Sequence, residues 1–356
     1  LLTAGATAGA APPHFAFETD GGIEVSVPWY LQWQWLRADS DRTQIDDRFG
    51  FRRARMALEI ERAEAWEFKA EYDWEASAWA DLALGVFVGP GKLRLGHYRM
   101  PLGLEQGASN RDAVLLERGL PNALTYARRL GVGYEWLADS WTLRGAVFDR
   151  NLSRSEEARG AAIRATWAPI RAEEDVLHFG IALGTEDLDG MSERFSARPD
   201  VGLTSFRAVD TGSIPGVDRT TRYGLEAAWI SGPWSLQTEY VSAKVDDGAD
   251  DATADGWYVL GTWALTGESR GYRDGLLRGL KPAGKLGAFE FAARYGRLDL
   301  DGGFLNGGEV DTLSIGGNWY VGPALRISAN LVNVDSTRRG LDDDPRIFEF
   351  RVQTQF

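Results

Sequence analysis

Residues 51–61 read FRRARMALEIE, and the order of these side chains decides the fold class. Ala54, Met56, Leu58 and Ile60 fall on one face, while Arg53, Arg55, Glu59 and Glu61 fall on the other. Successive side chains of a strand point to opposite faces, whereas a helix would mix the two sets around its circumference. The next segment repeats the pattern, with Trp66, Phe68, Ala70, Tyr72 and Trp74 against Glu67, Lys69, Glu71 and Asp73. At the end of the chain Phe348, Phe350, Val352 and Phe356 alternate with Glu349, Arg351, Gln353 and Gln355.

Working outward, short connections such as 62–64, 89–91, 138–140, 231–233 and 321–323 alternate with longer polar ones at 38–49, 99–128, 150–158, 185–220, 245–254, 298–309 and 336–345. If each is a reversal, strands fall near 22–37, 50–62, 65–74, 79–88, 92–98, 129–137, 140–149, 159–167, 175–184, 221–230, 233–244, 255–266, 287–297, 310–320, 323–334 and 346–356. That count is sixteen, with one awkward connection, 267–286, long on the short-turn side. An even number of antiparallel strands with short turns on one side and long loops on the other predicts an all-β transmembrane barrel, closed so that no edge strand is exposed. Trp66, Trp74, Trp136, Trp141, Trp167, Trp229, Trp234 and Trp319 lie near strand ends, where a membrane aromatic girdle would place them. A soluble sandwich or propeller is the alternative, but no blade repeat is visible.

Composition agrees. The 356 residues contain no Cys, which excludes a disulfide scaffold and a Cys-type zinc site, and no apolar run of roughly 18 residues, which excludes a helical membrane span. Residues 1–21 form a separate N-terminal segment, either the remnant of an export signal or a periplasmic extension, and residues 22–356 form the barrel. Three scattered histidines, His14, His97 and His178, and the lack of any nucleophile or phosphate-loop motif give no reason to expect an enzyme.

Several segments resemble the phosphate-selective porin O and P family of Gram-negative outer membranes. They are FRRAR at 51–55, ADLAL at 80–84, RLGHYRMP at 94–101, ERGLPNAL at 117–124, GWYV at 256–259, LTGE at 265–268 and GAFEFAARY at 287–295, and the chain ends in Phe356. The resemblance implies a sixteen-stranded homotrimeric barrel in the outer membrane, surrounded by lipid and lipopolysaccharide, with the third extracellular loop, residues 99–128, folded into the lumen. It implies anions held at the constriction by Arg52 and Arg53 and by Ser109, Asn110 and Arg111, with Asp81 as a lumen acid. The loop position often occupied by Lys is Arg111 here, and Asn110 replaces a hydroxyl residue. Positive charge survives that change, whereas a preference for phosphate over other anions does not follow from it.

The bases divide into 34 Arg and 5 Lys, and guanidinium groups match the oxygens of phosphate and carboxylate bidentately. Alternation turns Arg53, Arg55, Arg94, Arg129, Arg144, Arg164, Arg294, Arg326 and Arg351 inward, where most are expected to pair with inward glutamates. Arg53 and Arg111 are the expected exceptions, both free to hold an anion, with Arg351 remote from them. The net charge of −13 is concentrated in acids of the long loops, which are a solvated face and beyond a Debye length act weakly on a constriction. Acidic runs at 246–251 and 342–344 could take a structural calcium, although neither has calcium-loop spacing. The function expected is a passive porin with a preference for phosphate, polyphosphate or small carboxylates, with no other cofactor and no nucleic-acid partner. The alternative is a structural or adhesive barrel whose acidic loops anchor lipopolysaccharide or a surface layer.

Overall fold

The computed structural model describes residues 15–149, 151–152 and 158–356. The signal-like residues 1–14 and part of the connection 150–158 lie outside them. Sixteen barrel strands are formed by the described residues: β1 Trp29–Asp39, β2 Arg48–Arg62, β3 Trp66–Asp73, β4 Ala78–Val88, β5 Gly91–Arg99, β6 Arg128–Leu137, β7 Trp141–Phe148, β8 Arg159–Arg171, β9 Asp175–Glu193, β10 Ile214–Ser231, β11 Trp234–Asp246, β12 Asp251–Ala264, β13 Ala288–Gly302, β14 Leu305–Tyr320, β15 Leu325–Arg338 and β16 Arg346–Gln355. Each pairs antiparallel with the next, and β16 closes on β1 from Arg346 opposite Asp39 to Gln355 opposite Tyr30. The lateral edges are thereby removed, which is what a sheet in lipid requires.

Alternation sorts the wall. On β8 and β9, Ile163 and Ile181 face outward at 47% and 59% exposure, while Arg164 beside them is buried in the lumen at 2%. Rings stack at the level of the short turns: Trp141 on Trp167 at 5.4 Å, Trp234 on Trp263 at 4.9 Å and Phe289 on Trp319 at 5.7 Å. Such rings suit the boundary between hydrocarbon and water.

The first expected strand, 22–37, is broken at Pro28, which has no amide to give to a ladder. Its lower part, Ile23–Val27, stays paired with β2, from Ile23 opposite Arg62 to Ser26 opposite Glu59. It also pairs with Phe15–Glu18, so a hairpin continues the wall below the barrel. On the opposite rim the strands run further than expected. β9 reaches Glu193, β10 begins at Ile214, and the expected loop 298–309 is a tight reversal between β13 and β14 with Gly303 at φ +57°. Beyond the apolar band both faces of a strand meet polar surroundings, so alternation fades although the ladder continues.

The awkward connection 267–286 is a hairpin, Arg270–Arg273 against Leu276–Leu280. Its two-residue tip, Asp274 and Gly275, has φ +55° and +70°, the left-handed pair that Asp-Gly favours in a primed turn. The hairpin rises into the barrel, where Leu276 and Leu277 pack with Leu104, Val176, Ala228 and Ile230. The strand count is unaffected.

Candidate pore and anion site

Strict alternation would send Arg52 and Arg53 to opposite sides of β2. Instead the register slips between Gln32 and Trp33, with Gln32 opposite Arg53 and Trp33 opposite Phe51. Arg52 is therefore the unpaired residue of a β-bulge, a device that re-aims side chains. Both guanidinium groups turn to the lumen and meet Glu117 of the third loop. Arg52 Nε and Nη2 each donate to it at 2.9 Å, and Arg53 Nη2 donates at 3.0 Å. Arg351 is the third arginine on this carboxylate, its Nη2 donating at 2.7 Å. Burial alone would raise the Glu117 carboxyl, but Arg52, Arg53 and Arg351 outweigh it and hold the group well below the usual carboxylate range.

The third loop lies along the inner wall because that wall is a row of donors. Asn318, Arg326, Arg351 and Arg294 give hydrogen bonds to the carbonyls of Val114, Ala113, Leu116 and Glu117 at 2.8, 2.9, 2.6 and 3.0 Å. The loop between β9 and β10 enters as well. Asp200 accepts from Arg294 at 3.2 Å, Thr312 at 2.9 Å and Ser314 at 3.1 Å, while the Gly202 amide donates to Glu349 at 2.8 Å. Loop carboxylates and carbonyls thus occupy Arg52 and Arg53 of β2, Arg294 of β13, Arg326 of β15 and Arg351 of β16.

Opposite this covered wall lies a cavity of about 400 Å³ whose lining holds ten basic side chains against four acidic ones. Most of the bases are paired. Arg55 binds Asp73 at 2.6 Å and Glu71 at 3.2 Å, Arg94 binds Glu67 at 3.2 Å and Glu135 at 3.1 Å, and Arg164 binds Glu226 at 2.5 Å. Asp81 is held by Arg128 at 2.7 Å, and Arg129, outside the cavity, by Glu186 at 3.0 Å. Arg99, Arg111 and Arg144 make no ion pair among the described residues. Arg111 lies over the Tyr30 ring at 5.0 Å, and its backbone amide donates to Ser109 Oγ at 3.2 Å. Arg144 gives one nitrogen to the carbonyl of Asp274 at 2.8 Å, while its buried Nη1 has no partner. Arg164 similarly reaches the Gly275 carbonyl at 2.8 Å, so the hairpin tip caps both arginines. In the third loop, burial and the nearby Arg53 push the Arg118 guanidinium down to about 10.

The expected site residues therefore divide. Arg53 does not stand free, because an internal carboxylate takes the place of an anion on the arginine pair, and Arg351 belongs to that cluster rather than lying remote from it. Ser109 and Arg111 line the cavity, as do Asp81, Arg55, Arg94, Arg144 and Arg164, while Asn110 is buried in the loop. Glu117 and the hairpin tip escaped the sequence reading. The Asp274-Gly275 dipeptide was the available signal for the hairpin. Among the described residues no group of three or more His, Asp or Glu is placed to hold a metal ion. In the acidic run at 246–251, Asp247 Oδ1 accepts the amides of Ala249 and Asp250 at 3.0 and 2.8 Å, closing a turn.

Residues 27–356 match the family described as phosphate-selective porin O and P. The chain belongs to that family. Porin O of Pseudomonas aeruginosa is 27% identical over 95% of this chain and 92% of its own length. Among solved structures, outer-membrane-expressed OmpT of Vibrio cholerae is similar with a TM-score of 0.65 at 14% identity, covering 96% of this chain and all of that one. The anion-selective porin from Comamonas acidovorans is similar with a TM-score of 0.60 at 12% identity, covering 94% of this chain and all of that one. At those identities the structures speak for the fold alone. This porin is a β-barrel channel of the Gram-negative outer membrane, not an enzyme.

Proposed function

We propose that this porin passes small anions, phosphate and small carboxylates among them, passively down their gradients. The observation that carries the reading is the cavity lining, ten bases against four acids in a chain of net charge −13. An anion entering it meets guanidinium groups already half-satisfied by wall carboxylates, so each contact is weak enough to release. Arg111 and Arg144 are the donors with capacity to spare. Because Glu117 occupies Arg52 and Arg53, the reading favours anions as a class over phosphate alone. An OmpT structure is described as a trimer form, and we extend that assembly to this chain. Reversal potentials across planar bilayers under a salt gradient test the proposal: anion preference is expected, and cation preference overturns it. Absence of any conductance would leave the structural or adhesive barrel as the better reading.

A further inference from the structure

We propose that the outer wall between β6 and β10 holds a phosphorylated glycolipid of the outer leaflet, an acyl chain lying in an apolar groove and a phosphate resting on Arg159. The groove has a volume of about 770 Å³ and a lining that is almost wholly apolar. Missing side chains create it. Gly145 stands opposite both Tyr134 and Ile163, and a Cβ built there would meet only the Ala162 carbonyl oxygen, at 4.0 Å. The adjoining row is small as well, with Val147 opposite Val132 and Ala161, and Ala161 opposite Thr185.

The next row toward the long loops is charged: Arg159 opposite Asp187, and Asp187 opposite Arg219. Asp187 is taken by Arg219 at 2.7 Å, and Asp246 faces Arg219 from β11. Arg159 is exposed and makes neither a hydrogen bond nor an ion pair among the described residues. Its depth fits a headgroup. Arg159 lies eight positions along β8 from Trp167 of the turn-side ring level, which at about 3.3 Å per residue and a tilt near 45° is roughly 19 Å, close enough to the far edge of the ~25 Å apolar band for its long side chain to snorkel to the headgroup level. Arg297, which points outward near the same rim on β13, is instead held by Asp311 at 2.9 Å and by Glu309. A second copy of the chain pressed onto the groove would have to bring a carboxylate of its own to Arg159, because Asp187 is taken by Arg219 and an unpaired buried charge is costly. A lipid phosphate supplies the counter-charge.

The test is thermal unfolding of the detergent-purified protein with and without added lipopolysaccharide. The parent and Arg297→Ala should show the same rise in midpoint. Arg159→Ala should lose at least half of the rise, and Gly145→Trp or Ala161→Phe, which fill the groove, nearly all of it. Dephosphorylated glycolipid should act on the parent as lipopolysaccharide acts on Arg159→Ala, and inorganic phosphate should have no effect. Equal responses from all variants overturn the site, as does an equal shift from inorganic phosphate alone. Conversion of the Gly145→Trp variant from trimer to monomer with its lipid response intact also overturns it, and makes the groove a subunit contact.

Discussion

Trp29 and Phe356 meet face to face where the barrel closes, their rings 4.4 Å apart with 23° between the planes. Each backbone amide also donates to the other's carbonyl at 2.9 Å. The first barrel strand is therefore locked to the last residue of the chain by a two-way hydrogen-bonded pair with an aromatic clasp. Phe356→Ala and Trp29→Ala should each lower the unfolding midpoint. A double-mutant cycle should give a coupling of about 0.5–1.5 kcal/mol for the ring pair. Deleting Phe356, which removes the hydrogen bonds as well, should reduce the yield of heat-modifiable barrel more than either substitution. Full additivity of the two alanine variants would mean that the stack contributes nothing of its own.

Glu117 is the internal counter-ion of three arginines, so Glu117→Gln should free positive charge at the third loop. Hydrogen bonds between charged partners contribute about 1.5–3 kcal/mol each, and losing them should loosen the loop. We expect larger single-channel conductance, a reversal potential moved toward anions, and block of chloride current by phosphate at concentrations about ten-fold lower. A variant whose phosphate block and selectivity match the parent's would show that the arginine cluster lies off the permeation path.

The pH dependence of the same group has a definite sign. Its folded-state carboxyl is held below the unfolded value, so its stabilising contribution is present above about pH 4.3, the unfolded value, and is lost as pH falls through the folded one. Denaturation midpoints of the parent and Glu117→Gln should therefore differ by a constant amount from pH 8 to about 5 and converge only in strong acid. Convergence near neutrality would place the carboxylate outside the arginine cluster.

Replacing residues 270–280 by a short Gly-rich turn removes the tip carbonyls that cap Arg144 and Arg164. Single-channel conductance should rise several-fold, with stronger anion preference. If conductance is unchanged in a correctly folded variant, the hairpin does not narrow the pore.

Arg111→Ala and Arg144→Ala should each weaken anion preference, because these side chains line the cavity without a carboxylate partner. Arg297→Ala, on the outer wall, should not. Equal reversal potentials for all three would separate selectivity from the cavity charges.

The barrel was legible because its signal is local. FRRARMALEIE alternates within a single strand, and the lipid solvent enforces that alternation for most of the circuit. The arginine cluster was legible only in part. Period 2 admits one of Arg52 and Arg53 to the lumen, and the register slip that admits both depends on how β1 lies against β2. Glu117 looks like any other loop acid, and its meeting with Arg351 joins residues 234 positions apart. The inward hairpin was hidden for a different reason. Its alternating residues face the lumen filling rather than lipid, so only the Asp-Gly tip marked it.

The bonds between the filling and the wall carry a consequence for the order of assembly. The segments inside the lumen, around residues 99–128, 194–213 and 265–287, all lie in sequence between the two strands that seal the seam. The first two bind groups on β13–β16, whereas the hairpin of the third rests on Arg144 and Arg164 of β7 and β8 and on Gln237 of β11, and the ring of strands is complete only when Phe356 reaches Trp29. Sealing and packing of much of the interior are therefore late, linked events, and a chain lacking its final strands also lacks the donors that seat two of its three inner segments. A truncated or stalled chain would expose unseated loops and two open sheet edges together, a pair of features by which quality-control proteases could recognise it.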